Sequence, residues 1–549
     1  MKLTVAKWVA IVLAGAGFAA WAGWFIFETS FTLPDDQRYY CLFDDAMISM
    51  RYAWNLAHGE GLVWNPGERV EGITNLLWTL YMTVFAGLLA KPAAVLAVQV
   101  SGLVLILAAG FFGMKVGDEL LEGGPLAGRR FLSVLFFAVA LAYYPFDFWS
   151  MMGMEAALQS VLLFAAIWIA LKIDGRARHS IVLGLIMGLL FLTRPDSAVQ
   201  IALILVFRLG GVFRQPGWRK AILVEIGVVV AFALGVTIFR LAYYGSPLPN
   251  TYDLKMVGYP LLLRIENGFL FLKPFWGQVV APLVICTLSL VLGWSRRRAL
   301  VLGIVVSAIA YQFYIGGDAW RHWRLLASFV PLLLVLAVVD AATLIHRRAE
   351  GGSLERLTER RFAPPLPVIE HVLVLIVAAL CVLQVNADFK DEALFDKRPM
   401  SVKYHARQVA LGLALEEIAL PGASVGVNWA GTVPYYSGVE GVDFLGKTDR
   451  HIASLEPDFT GALGGSLVGM IYLPGHAKYD LHYSIEELEP TYVQFDKWGT
   501  DDLREYVREH YKTAIYKGVP FRARRDSPHL DWQKIKDNRR RPKKKKKGE

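Results

Sequence analysis

Long apolar stretches, separated by short polar ones, fill the first 385 residues of the chain. A helix needs about 20 mostly apolar residues to cross a bilayer. The first stretch, 7–27, reaches that length behind two lysines. It also resembles a secretory signal peptide with a cleavage site at 18–20, but a signal core is shorter, so a retained helix is favoured. Eleven further apolar segments follow, at 73–90, 92–113, 131–146, 155–171, 180–193, 197–208, 220–241, 276–293, 299–314, 325–345 and 367–385.

Basic loops orient these segments, because lysine and arginine concentrate on the cytoplasmic side of membrane proteins. Such loops occur near 115–130, 172–178, 208–220, 296–298 and 347–361. All of them share the side of the N-terminus only if segment 73–90 does not cross and instead lies at the outer surface. The pattern therefore predicts a polytopic α-helical membrane protein with about eleven transmembrane helices and a cytoplasmic N-terminus. The membrane module is 1–385, with an outer loop at 28–91.

The pattern changes after residue 386. Apolar residues at helical spacing predict a helix at 401–418. Short apolar runs next to turn residues predict strands at 423–427, 441–444 and 492–495. We therefore expect a small extracytoplasmic α/β domain at 386–530. The basic tail 531–549 is predicted to be disordered, with contact to anionic lipid or a cell-surface polymer as the alternative.

Composition narrows the class of protein. The chain is 55% hydrophobic and only 19% charged, less charge than a soluble enzyme of this size carries. Its three cysteines, Cys41, Cys286 and Cys381, show no ligand or disulfide spacing. The sequence carries no nucleotide, dinucleotide, zinc-protease or serine-hydrolase motif, and nothing indicates nucleic acid as a partner. The cytoplasmic loops are too short for a nucleotide sugar, so any activated donor must arrive through the membrane.

The outer loop begins with two adjacent carboxylates, Asp44 and Asp45. Two neighbouring carboxylates cannot both ionise without cost, so one pKa should rise, and such a group can serve as a general base. The pair could also hold a divalent cation such as Mg²⁺ or Mn²⁺, although no cofactor is obligatory. The alternative is that an aspartate only caps the helix that follows.

Other acids and bases fall on the same outer side. Arg194 and Asp196 form either a phosphate-binding arginine with its positioning acid or a salt-bridged turn after the helix. Glu155 opens a helix, which suits an acid, and is also a candidate for catalysis.

The densest polar cluster lies between two apolar helices. It contains Asp318, Arg321, His322 and Arg324, with tryptophans between them. Arginines can hold the oxygens of a departing lipid phosphate. The alternative is an interfacial cluster that anchors the helix ends.

The longest motifs resemble a known family. The runs 44–53 and 59–75 are similar to the first outer loop of GT-C glycosyltransferases, and within that superfamily they most resemble the mycobacterial terminal arabinofuranosyltransferases. Shorter matching pieces lie at 153–155, 193–196, 244–251, 316–318, 434–436, 445–449 and 474–476.

This resemblance implies transfer of a sugar from a polyprenyl-phosphate donor to a cell-envelope glycan, lipid or protein, with inversion, at the outer face of a bacterial inner membrane. An aspartate of the first outer loop, Asp44 or Asp45, is then the general base. The implied donor-phosphate ligands are Arg194, Arg321, Arg324 and Lys255. The implied substrate-binding residues are Glu155, Asp196, Asn250, Asp318, His322 and His476.

The chain departs from the mycobacterial enzymes in its short outer domain and polybasic tail, which leaves the sugar and the acceptor open, with arabinofuranose as one candidate. A transporter or flippase of lipid-linked sugars is the main alternative, although such folds often contain duplicated halves and this sequence shows no repeat. A non-catalytic scaffold is a third hypothesis.

Overall fold

The computed structural model describes residues 2–172, 177–211, 217–320, 322–350, 366–459, 469–494 and 500–540, and Arg321 therefore lies outside the described residues. In the described part of the first 385 residues, the regular elements are helices and one two-stranded ribbon, joined by loops. Their elements are α1 Lys2–Thr29, β1 Phe31–Thr32, β2 Arg38–Tyr39, α2 Asp44–Ala57, α3 Leu76–Leu88, α4 Lys91–Leu120, α5 Arg130–Ala140, α6 Tyr144–Met151, α7 Ala156–Lys172, α8 Ala177–Thr193, α9 Ala198–Leu209, α10 Gly217–Tyr244, α11 Asn250–Met256, α12 Leu261–Leu292, α13 Arg296–Ile315, α14 Val330–Glu350 and α15 Leu366–Val385.

Seven of the described helices are long and apolar enough to cross a membrane: α1, α4, α10, α12, α13, α14 and α15. Helices α5 and α6 meet at a 58° bend and together make an eighth candidate span. The other three predicted spans appear as α7, α8 and α9. Helices α7 and α8 have 17 residues each and are about 26 Å long, and α9 has 12 residues and is about 18 Å long. Helix α3, which the sequence predicts not to cross, has 13 residues, and its length alone does not separate it from α9.

The described parts of the predicted basic segments, together with Lys7 of α1, make contacts at one end of the helix bundle. Lys7 of α1 lies 3.3 Å from Asp118 of α4. Arg129, just before α5, pairs at 2.8 Å with Glu370 of α15. Other contacts at this end join Arg297 to Glu119, Arg298 to Asp340, and Arg296 to the carbonyl of Phe207. The charge pattern read from the sequence therefore corresponds to helix ends that are close in space.

Burial identifies the centre of the bundle. Every residue of α14 from Val330 to Ala342 is buried. Helices α1, α10 and α15 instead expose apolar side chains such as Leu13, Leu234 and Leu383. A helix that is apolar all round and buried belongs at the centre, whereas exposed apolar faces on long helices suit contact with lipid.

The C-terminal region forms an α/β domain. Its elements are α16 Lys390–Ala393, α17 Val402–Ile418, β3 Ser424–Val427, α18 Thr432–Ser437, β4 Glu440–Asp443, α19 Arg450–Ser454, β5 Tyr492–Val493, α20 Asp501–His510, β6 Tyr511–Tyr516, β7 Val519–Arg524 and α21 Trp532–Arg540. The sheet order is β4-β3-β5-β7-β6, with β3 parallel to both β4 and β5 and the remaining pairs antiparallel. The predicted helix and the first two predicted strands are present, and the third is shorter, with residue 495 outside the described residues.

The prediction of a disordered tail from residue 531 is wrong for its first ten residues. Helix α21 occupies Trp532–Arg540, and Ile535 is buried with the core of the sheet. The ammonium group of Lys512 on β6 lies 4.0 Å from the ring centroid of Trp532. Two apolar side chains three positions apart give this basic segment a face that packs on the domain, so the domain extends to residue 540.

Candidate active site

A cavity of about 260 Å³, here called the central cavity, lies at the end of the bundle opposite the basic loops. It is bounded by α2, the ends of α8 and α13, α11 and the loop after β4. Its lining is strongly charged. The charged residues are Asp45, Glu155, Arg194, Asp196, Arg240, Lys255, Asp318, Arg324 and Lys447. Seven of these nine were predicted from the sequence, so the topology does bring the outer loops together.

The two adjacent aspartates point to different places, because neighbouring residues on a helix are about 100° apart. Asp44 is buried against the C-terminal domain. Its Oδ2 accepts from the backbone N–H of Gly431 at 3.0 Å, and its Oδ1 accepts from the N–H and the hydroxyl of Thr432 at 2.8 and 3.0 Å. A Cβ at Gly431 would lie 2.0 Å from the Asp44 carbonyl, so only glycine fits this approach. Burial raises the pKa of Asp44 to about 6.

Asp45 faces the central cavity and is surrounded by donors. Its Oδ1 accepts from Lys447 Nζ, and its Oδ2 accepts from Arg324 Nη1 and, at 3.3 Å, from Trp320 Nε1. Burial opposes ionisation, but the Lys447 and Arg324 charges outweigh it and hold the pKa of Asp45 well below its usual range. The sequence predicted one raised pKa in the pair, and that group is Asp44, outside the cavity lining.

Both predicted arginines that the structure describes are in the cavity, and both are held by carboxylates. Arg324 donates to the two oxygens of Asp318 at 2.9 and 2.8 Å. Arg194 donates to Asp196 at 2.9 and 3.0 Å and to Glu155 at 2.9 Å. Such charge-assisted pairs fix the guanidinium planes in place.

Lys255 differs from these arginines. Among the described residues its ammonium group has no hydrogen-bond or ion-pair partner, although it lines the cavity. Its stem packs on Gly475, where a Cβ would lie 2.9 Å from Lys255 Cε. Burial, and then the nearby Arg324 charge, lowers the pKa of Lys255 to about 8. An anion entering the cavity would therefore find an uncompensated cation.

Sequence reasoning missed two cations of the cavity. Arg240, on α10, pairs with Glu71 of the outer loop at 2.8 Å, and both side chains are buried. A lone arginine in an apolar helix was a usable signal, because such residues are costly unless paired or functional. Lys447 lies in the loop after β4, and nothing in its local sequence separates it from a surface lysine.

Four predicted site residues lie elsewhere. Asn250 donates its side-chain amide to the carbonyls of Gly446, Lys447 and Asp449, so it holds the Lys447 loop. Asp44, as described, fastens α2 to the C-terminal domain. These two residues support the site rather than line the cavity.

The two histidines also lie outside the cavity lining. His322 is buried between the rings of Phe148 and Phe389, with Nε2 3.1 Å from Glu392. Its backbone is left-handed, with φ of 66°, and its side chain is absent from the lining of the central cavity, to which Arg324 belongs. His476 lies in a small cleft, here called the aromatic cleft, whose lining includes Trp320, Trp429 and His476.

The aspartate pair does not fit a divalent cation in this arrangement. Each oxygen of Asp45 faces a cationic side chain, and the Asp44 oxygens accept from Gly431 and Thr432. In the described parts of the chain, no group of three or more histidine, cysteine, aspartate or glutamate side chains is arranged to hold a metal ion.

Comparison with known sequences finds relatives for both parts of the chain. The family described as "Domain of unknown function (DUF8728)" matches residues 400–539, which agrees with a domain that includes α21. A terminal beta-(1->2)-arabinofuranosyltransferase of Mycobacterium tuberculosis is 26% identical over 356 residues, covering 58% of this chain and 54% of the relative. The Corynebacterium glutamicum protein of the same name is 27% identical over 383 residues, covering 61% and 51%. The chain thus spans about half the length of these curated relatives.

Solved structures share the whole fold. ArnT from Cupriavidus metallidurans in the apo state has a TM-score of 0.54 at 12% identity and covers 95% of this chain and 98% of its own. The same protein bound to undecaprenyl phosphate has a TM-score of 0.53 at 11% identity, with 94% of this chain and 97% of that chain covered. An oligosaccharyltransferase of Archaeoglobus fulgidus in the apo form gives a TM-score of 0.54 at 11% identity, with 95% of this chain and 75% of that chain covered. The predicted fold class is confirmed: the chain has a multi-pass GT-C fold with a C-terminal α/β domain.

Proposed function

We propose that this protein is a membrane glycosyltransferase that moves a sugar from a polyprenyl-phosphate donor to a cell-envelope acceptor outside the cytoplasm. The observation that carries the proposal is the central cavity, where Asp45, three further carboxylates and five cationic side chains lie together at a single end of a GT-C fold. The names of the curated relatives make arabinofuranose the first sugar to test. The basic end of the bundle is then cytoplasmic and the cavity extracytoplasmic, in the inner membrane of a bacterium.

Asp45 is the general base of the proposed reaction. Asp45 lines both the central cavity and the aromatic cleft, whereas Asp44 lines only the cleft and accepts its hydrogen bonds from Gly431 and Thr432 of the C-terminal domain. An acceptor hydroxyl attacks the anomeric carbon while Asp45 takes its proton. The bond from that carbon to the phosphate oxygen breaks, and its electron pair leaves with the lipid phosphate. One displacement of this kind inverts the anomeric centre.

The cavity's charge suits that leaving group. It contains five cations, and four of them, Arg194, Arg240, Arg324 and Lys447, pair with carboxylates, whereas Lys255 has no ion-pair partner among the described residues. A phosphodiester donor brings one negative charge, and a second develops on the phosphate as the sugar leaves. Fixed cations aimed at that charge stabilise the transition state more than the ground state. Lys255, without a carboxylate partner, is the expected first contact.

The cavity also has an apolar flank that suits a prenyl chain. Leu248 and Tyr252 line it from the α10–α11 side and are 44% and 40% exposed. Tyr311 and Ile315 line it from α13. An opening between α11 and α13 would let the lipid remain in the bilayer while its phosphate reaches Lys255.

The aromatic cleft is the proposed approach for the acceptor. It shares Asp45 and Lys447 with the central cavity, so the base lies between the two spaces. Indole rings such as Trp320 and Trp429 offer apolar faces that can cover a sugar ring.

The test is sugar transfer by the purified protein in detergent, with a panel of polyprenyl-phosphate sugars and envelope extract as acceptor. Asp45→Asn should lose at least about 100-fold in turnover, because the base is removed. It should also lower thermal stability, because Lys447 and Arg324 lose a buried carboxylate partner, so the turnover is measured at a temperature where the variant is folded. Retained turnover in Asp45→Asn would refute the assignment. No transfer from any donor by the wild type would refute the enzyme and call for a lipid-translocation assay. Parallel reactions with EDTA and with added Mg²⁺ test the metal hypothesis.

A further inference from the structure

We propose that Lys447, supplied by the C-terminal domain, is a positioning residue that exchanges between Asp45 and the donor phosphate, so that Asp45 becomes free to accept a proton only when the donor is in place. This inference rests on the proposed function and adds a role for the C-terminal domain in the same site. It concerns the order of events at Asp45 rather than the identity of the sugar.

The starting observation is that Asp45 is fully engaged. Lys447 occupies one carboxylate oxygen, and Arg324 with Trp320 occupies the other. A carboxylate held by two cations is a poor base, because each cation favours its ionised form. For Asp45 to remove a proton from a hydroxyl, at least one of these partners has to move away.

The hydrogen bonds identify which partner can move. Arg324 also donates to both oxygens of Asp318, so leaving Asp45 would not free it. Lys447 has, among the described residues, Asp45 as the one partner of its ammonium group. A lysine head carries three donors on a flexible four-carbon stem, so it can turn to a new acceptor without moving its backbone.

The backbone of Lys447 is held in place. In the same loop, Asp443 accepts from the N–H groups of Leu445 and Thr448 at 3.0 and 2.9 Å. Asn250 of α11 donates to the carbonyl of Lys447 at 3.1 Å. The loop is therefore a fixed base for a movable side chain, and only the ammonium group needs to change partner.

The position of Lys447 gives the exchange its direction. Lys447 and Asp45 both line the central cavity and the aromatic cleft. A phosphate in the central cavity, beside Lys255 and Arg324, would attract the Lys447 ammonium to that side. The Asp45 oxygen that Lys447 leaves would then face the cleft from which the acceptor comes. Water in the cleft would meet a competent base only after donor binding, which limits wasteful hydrolysis.

Lys447→Met removes the charge and keeps the length of the side chain, and Lys447→Arg keeps the charge. Lys517→Met is the matched control, because Lys517 lies in the same domain and also pairs with one carboxylate, Glu417. Binding of farnesyl phosphate, measured by thermal shift, should weaken roughly 10-fold in Lys447→Met and stay unchanged in Lys517→Met.

The pH profile separates exchange from a merely structural role. The acid limb of kcat/KM for the donor reports the free enzyme, and that of kcat reports the complex. In the wild type the apparent pKa in kcat should exceed that in kcat/KM by about 1 or more, and in Lys447→Met the two should nearly coincide. A lower kcat with an unchanged pKa difference and unchanged farnesyl phosphate binding would overturn the proposal.

Failure of the proposed function gives a different result. If the wild type transfers no sugar, farnesyl phosphate binding still decides the role of Lys447. Equal binding by wild type and Lys447→Met would overturn the exchange, whereas selective weakening in Lys447→Met would support phosphate capture by the C-terminal domain.

Discussion

Lys255 offers a sharp test of the cavity, because it is buried and has no ion-pair partner in the part of the chain that the structure describes. Replacing it with methionine keeps most of the packing of its stem on Gly475 and removes the charge. If Lys255 is the first contact of the donor phosphate, Lys255→Met should raise the donor KM more than it lowers kcat. A residue that only supports the fold would instead change thermal stability.

The pKa of Lys255 indicates how large the change in donor KM should be. The pKa of Lys255 falls from 10.5 to about 8, so keeping its ammonium charged in the cavity costs on the order of 3 kcal/mol relative to water. A bound phosphate restores part of that loss. Arg324 and Arg194 remain in place to hold the anion. We therefore expect the donor KM of Lys255→Met to be 10- to 100-fold higher than that of the wild type, which corresponds to roughly 1.4 to 2.8 kcal/mol of binding free energy.

The same pKa predicts a pH dependence with a definite sign. Below pH 8 Lys255 is protonated and binds the phosphate; as the pH rises through about 8 it becomes neutral and the donor KM should rise. Lys255→Arg stays charged over this range and should remove that dependence. The assay is initial transfer rate against donor concentration between about pH 6 and about pH 10. A wild-type KM that is flat across pH 8, or a Lys255→Met enzyme with wild-type KM, would refute the reasoning. Lys403→Met, an exposed lysine of the C-terminal domain, is the control.

Two further variants test the supports of the site. Asp44 accepts three hydrogen bonds, two of them from Thr432, and the amide in Asp44→Asn cannot accept them all. The variant should lose about 2 kcal/mol of folding free energy and unfold at a lower temperature. The control Asp526→Asn, at an exposed aspartate, should not. Glu71→Gln leaves the buried Arg240 charge uncompensated and should destabilise the protein by about 3 kcal/mol, measured by thermal unfolding in detergent; a stability equal to wild type would contradict the buried pair.

The sequence predicted best which loops lie at the same end of the helix bundle, because the order and orientation of the membrane helices determine this. Glu155, Arg194 and Asp318 come from three separate loops, and the charge pattern of the opposite loops was enough to predict that they share one end of the bundle. The sequence could not predict the directions in which individual side chains point. Asp44 and Asp45 are equivalent in composition, and only the packing of α2 on the C-terminal domain determines which of them faces the cavity.

His322 shows the same limit. Its neighbours in the motif suggested a site residue, but its ring packs on Phe148 and Phe389, a contact between distant parts of the chain that the motif does not contain. The hairpin β6–β7 was missed for another reason. Its strands alternate between buried and exposed positions over only six residues each, and the polar residues between the buried ones hide the pattern.

The domain boundary near residue 385 divides the chain by composition, but the site extends across it. Arg51 of the outer loop donates to the carbonyl of Val439 at 2.8 Å, and the Trp64 indole donates to the carbonyl of Ala430 at 3.0 Å. These side chains are buried, and separating the two parts would exchange their hydrogen bonds for bonds to water, a loss of about 0.5–1.5 kcal/mol for a neutral bond and about 1.5–3 kcal/mol for one from the charged Arg51. The same interface fixes α2 and hence Asp45. A chain cut at residue 385 should therefore lose the geometry of its base as well as its C-terminal domain, which makes the domain a structural part of the site.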